Sequence, residues 1–180
     1  MTRMRAIAYG ANGLTFQCYH KAVTLLERAD LMLDDLYSQK LLTLTASIPH
    51  LGRLEEPQGS STRTSRLCGS VVTVDVSLDV VGRVADFAQE VKACALGQAS
   101  AAVLGSGVMG ASLEEVSQAR DALKALLAGD APAFDDRFAD LQVFESVQDY
   151  KARHASVMLA FEAAADAMEQ ALAARAVSAA

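Results

Sequence analysis

Two cysteines, Cys68 and Cys94, stand 26 positions apart in segments of contrasting character. Cys68 lies in Leu67-Cys68-Gly69-Ser70, directly ahead of an alternating run of apolar and polar residues. Cys94 follows a second such run and directly precedes a stretch of small apolar residues that reads as helix. The thiolate is the form of cysteine that accepts sulfane sulfur, binds zinc and holds iron–sulfur clusters. A cysteine at a helix N-terminus meets unpaired N–H groups and the positive end of the helix dipole, and both favour the thiolate. Cys94 is expected to be so placed, with Lys92 nearby to help. Gly69 lets the backbone beside Cys68 approach a bound group closely. The rival reading is that both cysteines are small buried hydrophobes. Spacing alone, with no CxxC pattern, leaves both readings open.

The elements that must position these residues are legible as a hairpin. Val72, Val74, Val76 and Leu78 alternate with Thr73, Asp75 and Ser77, the period of a half-buried strand. A turn is expected over Asp79–Gly82. A second strand follows, with Ala85, Phe87 and Val91 on its inner face and Asp86, Glu90 and Lys92 on the other. A hairpin returns its ends to one place, so the two cysteines are expected at the same end of one sheet, within reach of a shared ligand. Thr62–Leu67 is predicted to add a polar edge strand.

Helices surround this hairpin in the chain. Tyr37, Leu41, Leu44 and Ile48 line one face of a helix expected over 34–48, which Pro49 stops. The Gly-, Pro- and Ser-rich run from Pro49 to Ser61 reads as loop. A small-residue helix is expected over 95–105, broken by Gly110. Ser112 and Glu115 have the spacing of a capping box, opening a helix through Leu113, Val116, Ala119, Leu123 and Leu127 to Gly129. An acidic loop follows, with Asp130, Asp135, Asp136 and Asp140. The last helix is expected from about Val157, its core face formed by Val157, Phe161, Ala164, Met168 and Leu172. Strands and helices segregate, so the predicted class is α+β, a small antiparallel three-stranded sheet packed against four or five helices.

The chain has 180 residues, 52% of them hydrophobic, which is enough for one compact domain with a core. That domain is expected over 34–180. Residues 1–33 are read as an N-terminal extension, with Phe16, Tyr19, Val23 and Leu26 at helical spacing after Thr15. The readings open for it are an extra helix, a weak transit-like segment and an over-long gene start with Met32 as the true first residue. The net charge of −6 and the lack of a basic block argue against nucleic acid as a partner. No apolar run approaches the roughly 20 residues of a membrane span, so no membrane partner and a cytoplasmic location are expected. An odd count of three cysteines without a signal-peptide pattern argues against a disulfide framework.

Several segments, taken in order, resemble the IscU/SufU/NifU-N-terminal iron–sulfur cluster assembly scaffolds. Leu36 to Leu42, with Pro49 to Leu54, is similar to that family's opening helix and its exit. Cys68-Gly69-Ser70 resembles a Cys-Gly-Asp motif ahead of a strand. Ala93-Cys94-Ala95-Leu96-Gly97-Gln98-Ala99-Ser100-Ala101 resembles Gly-Cys-Ala-Ile-Ser-x-Ala-Ser-Ala and is the most specific piece. Gly110 to Glu115 resembles the start of the next helix, and Leu159 to Ala163 the final one. The resemblance covers residues 34–175.

The resemblance implies a scaffold or carrier rather than an enzyme, with sulfurtransferase-like activity left open. It would accept sulfur from a cysteine desulfurase, and iron from a donor. A transient [2Fe–2S] cluster would then pass to apo iron–sulfur proteins. Cys94 would be the principal sulfur acceptor and Cys68 the second thiolate ligand. Two alternatives are a zinc-dependent sulfur-transfer partner of the desulfurase, and a non-metal interaction module that kept the fold.

The chain also departs from the family pattern. Ser70 stands at the position of the family's Asp, and Ser156 at that of its third cysteine; a hydroxyl is the poorer ligand for a divalent ion. A Leu-Pro-Pro-Val-Lys motif has no counterpart around Asp149–Arg153. His154 is expected in extended backbone just before the final helix, where it would share a face with Ser156 and complete a cluster or zinc site with Cys68 and Cys94. A site this short of thiolates should bind less tightly or draw ligands from a second subunit, which leaves a homodimer open.

The remaining candidates read as structure. Cys18 and His20, two apart on a helix, point about 200° from each other and cannot chelate one ion. His50 is punctuation at a helix exit. The acidic residues from Asp130 to Asp140 lack calcium-loop spacing and read as a solvated surface.

Overall fold

A computed structural model describes residues 39–178 of the chain. The expected extension over 1–33, with Cys18 and His20, lies outside the described residues. The class is α+β, as predicted: a three-stranded antiparallel sheet of order β1-β2-β3 with helices against it.

Helix α1 occupies residues 39–46 and stops ahead of Pro49. The chain then runs beside the sheet instead of looping freely. His50 takes a left-handed φ of 56°. Leu51 bridges Gln89 in parallel, with Gln89 N donating to His50 O and Gly52 N to Gln89 O, each at 2.9 Å. The buried Gln89 side chain fixes this stretch, its Nε2 donating to Pro49 O and Ala101 O at 2.9 Å.

Strand β1 is Gly59–Thr64, three residues earlier than Thr62–Leu67. The shift has a packing cause. Gly59 lies on the backbone of the last helix, where any Cβ would collide with the Ala167 carbonyl, so only glycine can begin the strand there.

Strands β2 (Val71–Leu78) and β3 (Val84–Lys92) form the expected hairpin. A bulge between Ser77 and Leu78 corrects its inner face. Ser77 pairs with Asp86 and Leu78 with Val84, so Ala85 is skipped. Val84 and Phe87 therefore face the core, and Ala85 turns outward with Asp86.

Strand β2 is buried on both faces, not one. Val72, Val74 and Val76 pack inward. On the other face Asp75 is fully buried and accepts from Arg53 Nε (2.6 Å), Arg53 Nη2 (3.0 Å), Ser60 Oγ (2.6 Å) and Leu54 N (3.1 Å). Burial alone would push this carboxyl up. The bonds from Arg53, Ser60 and Leu54 outweigh that and hold it below the ordinary carboxylate range.

Helix α2 is Ala95–Gly107 and α3 is Leu113–Ala128. The Ser112–Glu115 capping box forms as expected, and Gly129 ends α3 in the left-handed region. The acidic loop is the largest correction. Residues Asp136–Val147 form a 3-10 run, kinked at Phe138, that buries Phe138, Leu141, Val143, Phe144 and Val147; beyond the kink Leu141, Phe144 and Val147 recur every third residue, matching three residues per turn. Phe138 stacks edge-on with Phe161 at 5.4 Å.

Helix α4 is Lys151–Ser178, beginning six residues before the expected Val157. Lys151, Ala152 and Arg153 are good helix formers but exposed, so no apolar period marks them. From Ser156 to Ala171 the helix is buried almost all round, between the sheet, α2 and α3. Its many alanines let those neighbours approach closely.

Candidate functional site

One end of the sheet gathers residues from three separate elements. The six residues Ser65–Ser70 turn β1 into β2, closed by Ser65 N donating to Ser70 O (2.8 Å) and Gly69 N to Ser65 O (2.9 Å). Gly69 has φ +69°, a left-handed value that a side chain would disfavour. This turn carries Cys68. The pairing of Val71 with Lys92 sets the end of β3 beside it, and two residues on Cys94 is the N-cap of α2, in extended backbone (φ −65°, ψ 167°). Its thiol makes no capping bond. Gly97 lies against the Ser156 carbonyl, 3.2 Å from where a Cβ would stand, so the first turn of α2 presses on α4 at Ser156.

Four side chains meet there. Cys68 Sγ lies 2.7 Å from Ser156 Oγ, 3.0 Å from Ser70 Oγ and 3.4 Å from Ser65 Oγ. Ser70 Oγ also accepts from Cys94 N at 3.2 Å. Ser70 thus links the two cysteine segments, taking an N–H from one and leaving its own proton to face the sulfur of the other. The three serines are buried, while both cysteines are free and half-buried.

The Ser156 hydroxyl first, then those of Ser65 and Ser70, with a backbone bond from Ser70, bring the Cys68 thiol down to about 6. A hydroxyl that donates to a thiolate stabilises the charged form. Cys68 is therefore mostly thiolate at neutral pH.

His154 does not join this group. It lies inside α4 rather than in extended backbone, so the i, i+2 relation puts it about 200° around the helix from Ser156. Its Nε2 lies 3.1 Å from Val147 O and 3.0 Å from Gln148 O, which ties the ring to the end of the 3-10 run. Lys92 turns along its own strand, with Nζ 3.5 Å from a Glu90 carboxylate oxygen. His50 packs edge-on against Phe87. Asp135 caps the 3-10 run through Arg137 N, and Asp140 pairs with Lys40.

Among the described residues, no three of His, Cys, Asp or Glu are grouped to hold a metal ion. The donor set is two soft cysteine sulfurs beside neutral hydroxyls. It suits iron–sulfur, zinc or other thiophilic chemistry and is poor for a hard divalent ion. Two thiolates fit two of the four ligand positions of an iron–sulfur cluster. Ser65 was not legible as a site residue. Its only signal is a serine in a tight turn three positions before a cysteine.

The sequence model for NifU-like N terminal domains matches residues 36–157, a span that holds Cys68, Cys94 and Ser156. The chain belongs to this family. The N-terminal part of a nitrogen-fixing NifU-like protein from Brucella abortus has a similar crystal structure. It is 47% identical, with a TM-score of 0.74, over 79% of this chain and 98% of that one. A proposed iron–sulfur cluster assembly scaffold protein for the SUF system, from Fervidobacterium islandicum, is 20% identical with a TM-score of 0.64, over 72% of this chain and 93% of that one. At that identity the likeness speaks for the fold alone. No curated protein matches the chain. In this NifU-like domain three serine hydroxyls surround the Cys68 sulfur, and one of them, Ser70, also takes the backbone N–H of Cys94.

Proposed function

We propose that this NifU-like domain is a scaffold on which an iron–sulfur cluster is assembled and from which it is passed on. One observation carries the reading: Ser70 Oγ lies 3.0 Å from Cys68 Sγ and 3.2 Å from Cys94 N, so two cysteines from separate elements share one end of the sheet. Family membership supports the same reading.

In this proposal Cys68 takes the sulfur. Its thiolate attacks the outer sulfur of a persulfide carried by a cysteine desulfurase. A Cys68 persulfide forms and the donor leaves as a thiolate, so the exchange neither consumes nor releases electrons. The role moves from Cys94 to Cys68 because the three hydroxyls surround the Cys68 sulfur. With iron and a reductant from outside the chain, Cys68 and Cys94 then hold a [2Fe–2S] cluster as cargo. Neutral serines in place of further anionic ligands suit a loosely held cluster, released to an apo iron–sulfur protein. No helix among the described residues is long and apolar enough to cross a membrane, and the proposed place of action is the cytoplasm.

The test is anaerobic purification with iron, acid-labile sulfide and zinc measured per chain, beside Cys94→Ala. Iron with matching sulfide, lost in the variant, is the expected result. Zinc alone would favour the zinc-dependent sulfur-transfer partner. Neither metal, with failed reconstitution, would leave an interaction module that kept the fold.

A further inference from the structure

We infer that Cys68 and Cys94 of the metal-free protein close a reversible disulfide with each other, a redox latch driven by low-molecular-weight disulfides. The bond itself follows from where the two cysteines stand. Its consequence, a site shut to sulfur and iron, rests on the scaffold reading.

Strand register brings the pair together. Val71 pairs with Lys92, and Cys68 and Cys94 lie three and two residues beyond that pair. Paired residues stand about 4.5–5.5 Å apart between Cα atoms, inside the roughly 4.4–6.8 Å that a disulfide spans. The Ser70 hydroxyl then ties the two segments, 3.0 Å from Cys68 Sγ and 3.2 Å from Cys94 N. Cys94 caps α2 without a bond from its thiol, so that sulfur is committed to no backbone N–H there. The turn carrying Cys68 has room to adjust. Nothing lies within 4 Å of where a Gly69 Cβ would stand, and Leu67 is 75% exposed. Both thiols are free and half-buried, within reach of a small reagent.

The exchange balances without a further oxidant. Cys68 Sγ attacks one sulfur of the small disulfide, a mixed disulfide forms on Cys68, and one small thiolate leaves. Cys94, giving its proton to solvent, attacks Cys68 Sγ. The Cys68–Cys94 bond forms, the mixed disulfide breaks, and a second small thiolate leaves. The two cysteines lose two electrons and the small disulfide gains them. An excess of small thiol runs both steps backward. The hydroxyls of Ser65, Ser70 and Ser156 around Cys68 Sγ favour the reduced form, which makes the bond easy to reopen. A closed latch occupies both sulfurs at once, leaving neither to accept sulfur or hold iron.

The metal-free full chain is equilibrated anaerobically in mixtures of reduced and oxidised glutathione, quenched by alkylation and mapped by peptide mass spectrometry. The expected product is a linked Cys68–Cys94 peptide within one chain, reopened by excess reduced glutathione. Cys94→Ser is expected to stop at glutathione held on Cys68, with its circular dichroism unchanged. A wild-type chain that stops at the same mixed disulfide would overturn the latch. So would cysteines that stay free at every ratio, or Cys68 linked instead to Cys18 or to a second chain. The linked peptide is read without iron, so the two readings fail separately. A reduced chain that takes up neither iron nor sulfide would remove the consequence and leave the bond standing.

Discussion

Ser156 Oγ stands 2.7 Å from Cys68 Sγ, the shortest of the three hydroxyl contacts on that sulfur. The resemblance puts a third cysteine at this position, so a hydroxyl here turns a ligand into a support for the neighbouring thiolate. In the metal-free protein Cys68 is expected to be alkylated by iodoacetamide along a curve that rises through pH about 6, because only the thiolate reacts. Ser156→Ala removes the leading cause of the depression, so the midpoint should move up toward that of an ordinary thiol. Peptide mass spectrometry of timed samples separates Cys68 from Cys94. An unmoved midpoint would sink the assignment of Ser156 as the main support.

The arrangement was only partly legible beforehand. Val72 to Leu78 alternate strictly, and a hairpin must return its ends together, so the meeting of Cys68 and Cys94 followed from local pattern. The placement of Cys94 at the start of α2 followed from the change to small apolar residues after it. The serines were illegible as a set, because Ser65 and Ser156 lie 91 positions apart and only the packing of α4 against the sheet joins them. His154 was misplaced because the start of α4 lies among exposed residues that carry no apolar period. Asp75 reads as a solvent-facing residue in an alternating strand, since its cover comes from Arg53 and Leu54, 22 and 21 residues earlier in a stretch that reads as loop.

That cover makes a second expectation. Asp75→Ala leaves Leu54 N, Ser60 Oγ and the Arg53 guanidinium without their shared acceptor, and should cost about 2–3 kcal/mol in urea unfolding. The pH dependence has a definite sign. A carboxyl whose folded pKa lies below its unfolded one adds stability above the ordinary carboxylate range, and loses it as pH falls through the folded value. Wild-type protein should therefore weaken as pH drops below about 4, and Asp75→Ala should weaken less steeply there. Parallel acid limbs would show that Asp75 is not a source of the loss.

Gly59 tests the close approach of β1 to α4. A methyl group there meets the Ala167 carbonyl, which is backbone and cannot swing aside. Gly59→Ala should destabilise the fold by about 1–3 kcal/mol, the usual range for overpacking a close-packed contact, read as a lowered thermal midpoint. Gly69→Ala makes an instructive contrast, because nothing lies within 4 Å of its missing Cβ and only the left-handed φ is at stake. Its effect should be the smaller of the two, and a larger one would mean that the turn carrying Cys68, rather than the sheet–helix contact, is the more tightly constrained.

Ser156→Cys restores the thiol that the resemblance leads one to expect. The position is fully buried and a sulfhydryl is close in size to the hydroxyl, so the fold should tolerate it. A third thiolate beside Cys68 adds a soft anionic ligand where a neutral hydroxyl now stands. The cluster should then resist an iron chelator for longer, with release slowed by about tenfold, the lower end of the effects seen when groups around a metal centre are changed. The same variant should lose the Ser156 support for the Cys68 thiolate, so slower release and an altered alkylation midpoint are expected together. If release is unchanged while the midpoint moves, residue 156 acts only on the thiol before assembly, and the reading of the serine as a loosened ligand position fails.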